Sequence, residues 1–154
     1  MKITDNTLTP VKSKTHPFWR WFWLTFLVVS LVYAWYSFYV PSNHIKWNNE
    51  ITSVEKLNNN SGKETILFFT GKWCVPCRIM KRKVFADKEV ENIINSQFTP
   101  VMIDIDNPNT KALVKHYNVN ATPTTIIVDS QGKMLNYASG KIEKSEFLQM
   151  LKNL

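Results

Sequence analysis

Residues 71–78 read Gly-Lys-Trp-Cys-Val-Pro-Cys-Arg, and this stretch holds both cysteines of the 154-residue chain, Cys74 and Cys77. Immediately before it, Thr65–Thr70 (TILFFT) is a short apolar, β-rich run that predicts a strand buried on both faces. Immediately after it, Cys77, Met80 and Val84 recur at helical spacing, with Arg78, Lys81 and Arg82 assigned to the opposite face. The cysteine pair therefore sits where a strand gives way to a helix. A structural zinc site needs about four ligands, and Cys-x-x-Cys supplies two. The three histidines, His16, His44 and His116, are scattered, and no second ligand pair stands at finger-like spacing. Haem attachment asks for histidine after the second cysteine, where this chain has Arg78. A purely structural bridge across so short a loop gains little loop entropy. Thiol–disulfide exchange remains, and position favours it. A helix N-terminus carries about half a positive charge and unpaired N–H groups, which favour a thiolate. Cys74 falls at that end, near Lys72 and Arg78, while Cys77 lies one turn inward, placed to resolve a mixed disulfide. Pro76 suits an early helical position, where a missing N–H costs nothing.

Outward from this centre the pattern predicts an α/β fold. Trp47, Ile51, Val54 and Leu57 fall at helical spacing, so a short amphipathic helix is expected from Trp47 to about Leu57, ended by Asn58–Gly62. Asp87 is a candidate cap for a second helix bearing Val90, Ile93 and Ile94. Phe98–Asp106 reads as a strand, Asn107–Asn109 as a turn, and Lys111–Tyr117 as a helix. Thr124–Asp129 and Met134–Ala138 read as strands joined by the turn Ser130–Lys133, and Phe147, Leu148, Leu151 and Leu154 mark a closing helix. Strand–helix–strand units at the front imply parallel pairing, and the tight turn implies an antiparallel hairpin at the back. A mixed central sheet flanked by helices is expected.

The N-terminal quarter is of another kind. Residues 21–40, WFWLTFLVVSLVYAWYSFYV, carry no charge. A helix of that length covers about 30 Å, the hydrocarbon thickness of a bilayer. Pro17 and Pro41 bracket the run. Trp19, Trp21 and Trp23 at one end, with Trp35, Tyr36 and Tyr39 at the other, suit the interfacial belts. Val32-Tyr33-Ala34 offers the alternative of a cleaved signal peptide, against which the apolar run continues beyond Ala34. The flanks set an orientation: residues 1–20 hold Lys2, Lys12, Lys14 and Arg20 against Asp5, whereas residues 41–60 hold Lys46 and Lys56 against Glu50 and Glu55. The expected division is a cytoplasmic segment 1–20, a transmembrane helix 21–40, a linker and short helix 41–62, and a folded domain 63–154 outside the cytoplasm. The net charge of +7 is shared between the two ends, and neither is basic enough to imply a nucleic-acid partner.

GKWCVPCRIMKRKVFADKEV (71–90) and ATPTTIIVDSQGK (121–133), with Gly140 before the last helix, resemble the thioredoxin family. The likeness is to its membrane-tethered bacterial members and to the C-terminal domain of DsbD-type transmembrane reductases, and it covers residues 45–154. The resemblance implies a thioredoxin-like fold behind one membrane helix, with Cys74 as attacking thiolate and Cys77 as resolving thiol. It implies that Trp73 shields the flank of the site, that Pro123 is a cis-proline facing the disulfide, and that Thr122 offers its backbone to an extended substrate strand. It further implies disulfide-containing protein substrates, no cofactor beyond the Cys74–Cys77 couple, a transmembrane electron donor, and a place in the bacterial inner membrane with the domain in the periplasm.

Two positions depart from the family pattern. Thioredoxins bury an aspartate where this chain has Phe68, and a partnering lysine aligns with Met102; the ion pair is replaced by an apolar pair. Asp104 is a candidate substitute on the same strand. Proline beside the second cysteine resembles reducing members, which favours a reductase. The alternatives are an oxidase running in reverse, a redox-idle thioredoxin-fold binding module or chaperone, and a soft-metal carrier using the dithiol. The basic face of Arg78, Lys81, Arg82 and Lys83 reads as a solvated helix surface or as a steering patch for acidic partners or headgroups.

Overall fold

In the computed structural model, residues 17–53, 55, 57 and 62–154 are described. Residues 1–16, Val54, Lys56 and the Asn58–Ser61 break lie outside the described residues. The chain divides into two units, Met1–Tyr39 and Val40–Leu154.

In the first unit a single helix, α1 (Pro17–Phe38), contains the apolar run. It is long and apolar enough to cross a membrane, and none of its residues is buried. The helix starts earlier than the uncharged stretch. Pro17 is its first residue, where its fixed φ and missing N–H are harmless, so it opens the helix and brings Arg20 into it. Tyr39 and Val40 fall beyond the helical end.

The second unit is built on a four-stranded sheet. Its elements are β1 (Thr65–Thr70), α2 (Val75–Lys83), α3 (Lys88–Gln97), β2 (Thr99–Asp104), a 3-10 turn Pro108–Thr110, α4 (Lys111–His116), β3 (Thr124–Val128), β4 (Met134–Ser139) and α5 (Lys144–Lys152). The strand order is β2-β1-β3-β4. The β1–β2 pair is parallel, and β1–β3 and β3–β4 are antiparallel, which gives the expected mixed sheet. All six residues of β1 are buried because it is a central strand covered on both sides. Its side chains alternate between two cores. Ile66 and Phe68 join Met80, Val84, Phe85, Ile94 and Phe147, on the face carrying α2, α3 and α5. Leu67 and Phe69 join Val101, Ile103, Leu113, Tyr117 and Ile126, on the face carrying α4.

The segment before β1 differs from its sequence reading. Trp47–Ser53 is not helical; the helical residues described there are Glu55 and Leu57. Asn48 instead bridges in parallel to Val101, its N–H donating to Pro100 O at 2.8 Å and its carbonyl accepting from Met102 N at 3.3 Å. The physical reason is the edge of β2, whose free backbone groups need partners. Ile45, Ile51 and Leu57 are buried, and Trp47 packs edge-on against Phe85 with ring centroids 5.1 Å apart. Apolar spacing alone does not separate this extended strap from a helix.

Candidate active site

The site forms where β1 ends and α2 begins. Cys74 is the N-cap of α2, with extended backbone (φ −74°, ψ 98°), and its sulfur accepts from the Cys77 N–H at 3.2 Å. Pro76 occupies the first turn, and Arg78 N–H donates to Cys74 O at 3.3 Å to start the helical ladder. Cys74 and Cys77 are joined by a disulfide, with Cα atoms 5.3 Å apart. Each residue is only 1% exposed, whereas the neighbouring Trp73 is 64% exposed and Val75 47%. A covered sulfur pair thus lies beneath an exposed apolar rim.

A residue missed in the sequence holds the loop. Asp106 accepts from the Trp73 indole Nε1–H at 3.1 Å through one carboxylate oxygen, and from the Lys72 backbone N–H at 3.2 Å through the other. A Cβ at Gly71 would come within 3.2 Å of Trp73 Nε1 and 3.3 Å of that carboxylate, so any larger residue there would have to push the clasp aside by a few tenths of an ångström. The signal lay in topology. Because β1 and β2 run parallel, the segment following β2 emerges beside the segment following β1.

Thr122 and Pro123 reach the same end of the sheet by the antiparallel pairing, since Thr124 opens β3 opposite Phe69 near the close of β1. The Thr122–Pro123 peptide bond is cis. Pro123 is buried, its carbonyl accepting from Gly140 N–H at 2.8 Å, and the buried Thr122 hydroxyl finds no hydrogen-bond partner among the described residues.

Beneath the cysteines, Phe68 and Met102 are Cα partners across β1–β2, so the two departures from the family pattern are neighbours. Lys81 is not on the outward face. At 3.6 residues per turn it lies close in angle to Cys77. It is half-buried, with its Nζ 6.0 Å above the centre of the Phe68 ring. Burial pushes the Lys81 amine below the ordinary lysine range, and Asp104 opposes that shift.

A profile of the thioredoxin-like domain family matches residues 52–154. The chain belongs to that family. It is 31% identical over 122 residues to a protein named thiol:disulfide interchange protein DsbD from Actinobacillus pleuropneumoniae; the match takes in 73% of this chain and 20% of that protein. The chain thus spans about a fifth of the length of this relative. Among solved structures, a thioredoxin from Thermus thermophilus superposes with a TM-score of 0.60 at 21% identity, covering 70% of this chain and 85% of its own. The oxidised C-terminal domain of Neisseria meningitidis DsbD superposes with a TM-score of 0.52 at 22% identity, covering 64% and 90%. Both share the fold. Family, disulfide and the relatives' name together support thiol–disulfide oxidoreductase chemistry.

Proposed function

We propose that this chain is a thiol–disulfide oxidoreductase tethered to a membrane by residues 21–40, and that it reduces disulfides of protein substrates outside the cytoplasm. The observation that carries the reading is the bonded pair Cys74–Cys77 set on the first turn of α2. In the reduced protein, the Cys74 thiolate attacks a substrate disulfide and forms a mixed disulfide, releasing one substrate thiolate. Cys77 then attacks Cys74 Sγ, the Cys74–Cys77 bond forms, and the second substrate sulfur leaves with the electron pair. The substrate gains two electrons and two protons, and the chain ends oxidised. No cofactor beyond the cysteine couple is needed.

Trp73 and Val75 form the apolar rim against which a substrate lies, and Thr122, fixed by its cis bond to Pro123, offers its backbone to an added substrate strand. The excess of basic residues in 1–20 over the opposite flank supports a cytoplasmic N-terminal segment, with residues 41–154 on the periplasmic side of a bacterial inner membrane. A reductase there needs electrons carried through the bilayer, so a transmembrane dithiol donor is the second partner. Nucleic acid is not a partner.

The test is trapping. The Cys77→Ala chain, expressed at full length, accumulates mixed disulfides on Cys74 that mass spectrometry identifies, while Cys74→Ala accumulates none. Equal, empty recovery from both variants would refute exchange.

A further inference from the structure

The resolving step needs a proton acceptor, and the surroundings of Cys77 offer few. Cys77 is 1% exposed and packed in a cluster with Phe68, Met80, Val84 and Phe85, none of which ionises. A thiol attacks only as thiolate. On the adjoining strands Phe68 faces Met102, so β1 and β2 bring no titratable group at that level. Two residues further along β2 stands Asp104. On α2 itself the charged neighbours are Arg78 and Arg82, whose guanidinium groups do not give up a proton in this range.

Lys81 differs from both arginines. It stands one turn beyond Cys77, at the spacing that makes helical side chains neighbours, and its amine turns inward over the Phe68 ring. Resting on the exchange reading above, we propose that the Lys81 amine takes the proton of Cys77 as Cys77 attacks the mixed disulfide at Cys74. Cys77–SH and the neutral amine become thiolate and ammonium. The thiolate forms the bond to Cys74 Sγ, the substrate sulfur leaves with the electron pair, and the ammonium returns its proton to that sulfur or to water. Burial lowers the Lys81 amine, the direction a base needs, and Asp104 opposes that shift. An apolar pair at Phe68 and Met102 then needs no buried carboxylate beside it.

The experiment uses the reduced full-length chain in detergent and excess dithiobis(nitrobenzoate). Attack by Cys74 releases a first coloured thiolate, and closure by Cys77 releases a second, so the two steps are read separately by stopped flow. Lys81→Met is expected to slow the second release on the order of 100-fold. It should also move the pH midpoint of that release upward, leaving the first release unchanged. Lys81→Arg keeps the charge but has no neutral form able to accept a proton in this range, and it is expected to be as slow. Full recovery in Lys81→Arg would show that a fixed charge suffices and overturn the base role, as would unchanged second phases in both variants. Matching far-ultraviolet spectra and melting curves establish that the variants fold; if Lys81→Met does not, Lys81→Gln takes its place with the same expectation. A wild-type chain that releases neither thiolate strikes the exchange reading itself, and with no resolving step this proposal falls too.

Discussion

The Trp73 indole and the Lys72 backbone converge on one carboxylate, Asp106, from a loop that precedes α2 by way of Cys74. The clasp ties the covering edge of the disulfide to the end of β2. Asp106→Ala removes both acceptors and is expected to lower stability by about 1 kcal/mol, the usual net worth of such bonds at an exposed position. For a domain of this size that corresponds to a few degrees in Tm. The sharper measurement is hydrogen exchange: the Trp73 indole and Lys72 amide protons should exchange faster in the variant. Unchanged exchange at both would show that the loop is held by other contacts.

Phe68 and Met102 occupy facing positions in the parallel pair, with Phe68 wholly buried. Phe68→Asp buries a carboxylate with no partner on the sheet, beneath the half-buried Lys81 amine that lies 6.0 Å from the ring it replaces, and the expected loss is about 3–5 kcal/mol in urea unfolding. Adding Met102→Lys supplies the partner. The double variant should recover on the order of 1–3 kcal/mol relative to additivity, because neighbours in contact do not add. Strict additivity would mean that the two side chains do not share one buried space.

Much of this was legible in the sequence for physical reasons. TILFFT has no polar face, so it had to be a strand covered on both sides, and its neighbours followed from strand–helix alternation. Cys74 was placed at a helix start because Pro76 follows it and the apolar stripe begins at Cys77. Three features were not legible. Asp106 is joined to Trp73 only through the parallel register, which spacing along the chain does not carry. Charge alone groups Lys81 with Arg78 and Arg82 on the face opposite Cys77, although its angle on the helix puts it beside Cys77; a long aliphatic stem lets a lysine lie along apolar surface. The apolar spacing from Trp47 to about Leu57 suits a helix as well as an extended strap, and the edge of β2 decides for the strap over Trp47–Ser53.

Acid sensitivity is expected at the junction of α3 and α5. Lys144 Nζ lies 2.9 Å from both Asp87 and Glu89 at the start of α3. Its hydrogen bond holds the Asp87 carboxyl below the usual value of about 3.8, and the Glu89 and Asp87 carboxylates raise the Lys144 amine. A lowered carboxyl contributes stability that is complete above its unfolded value and is lost as pH falls through the folded one. The junction should therefore weaken below about pH 3.8. Lys144→Met should flatten that part of the stability–pH curve while changing little near neutrality, since exposed pairs are worth little there. A wild-type curve and a variant curve with the same slope below that pH would exclude the link.

The strap before β1 carries the last prediction. Trp47 reaches Phe85 at 5.1 Å and Phe68 at 6.1 Å between ring centroids, and its indole N–H donates to Asn43 Oδ1 at 3.2 Å. On the same strap Asn48 supplies the backbone partner for β2, and the His44 N–H donates to the buried Glu91 at 2.8 Å. Apolar packing and backbone pairing thus fasten residues 43–48 to the face that also holds Cys77. Trp47→Ala opens a gap against two core rings. Because the indole is half-buried, the expected loss is about 2 kcal/mol, below the range for a fully buried aromatic. In full-length chain the loss should appear as a lower urea midpoint with an unchanged slope, and amide exchange at Met102 should quicken as the Asn48 bridge loosens. A midpoint equal to wild type would show that the folded domain stands without its strap, and that residues 43–48 serve only to connect it to α1.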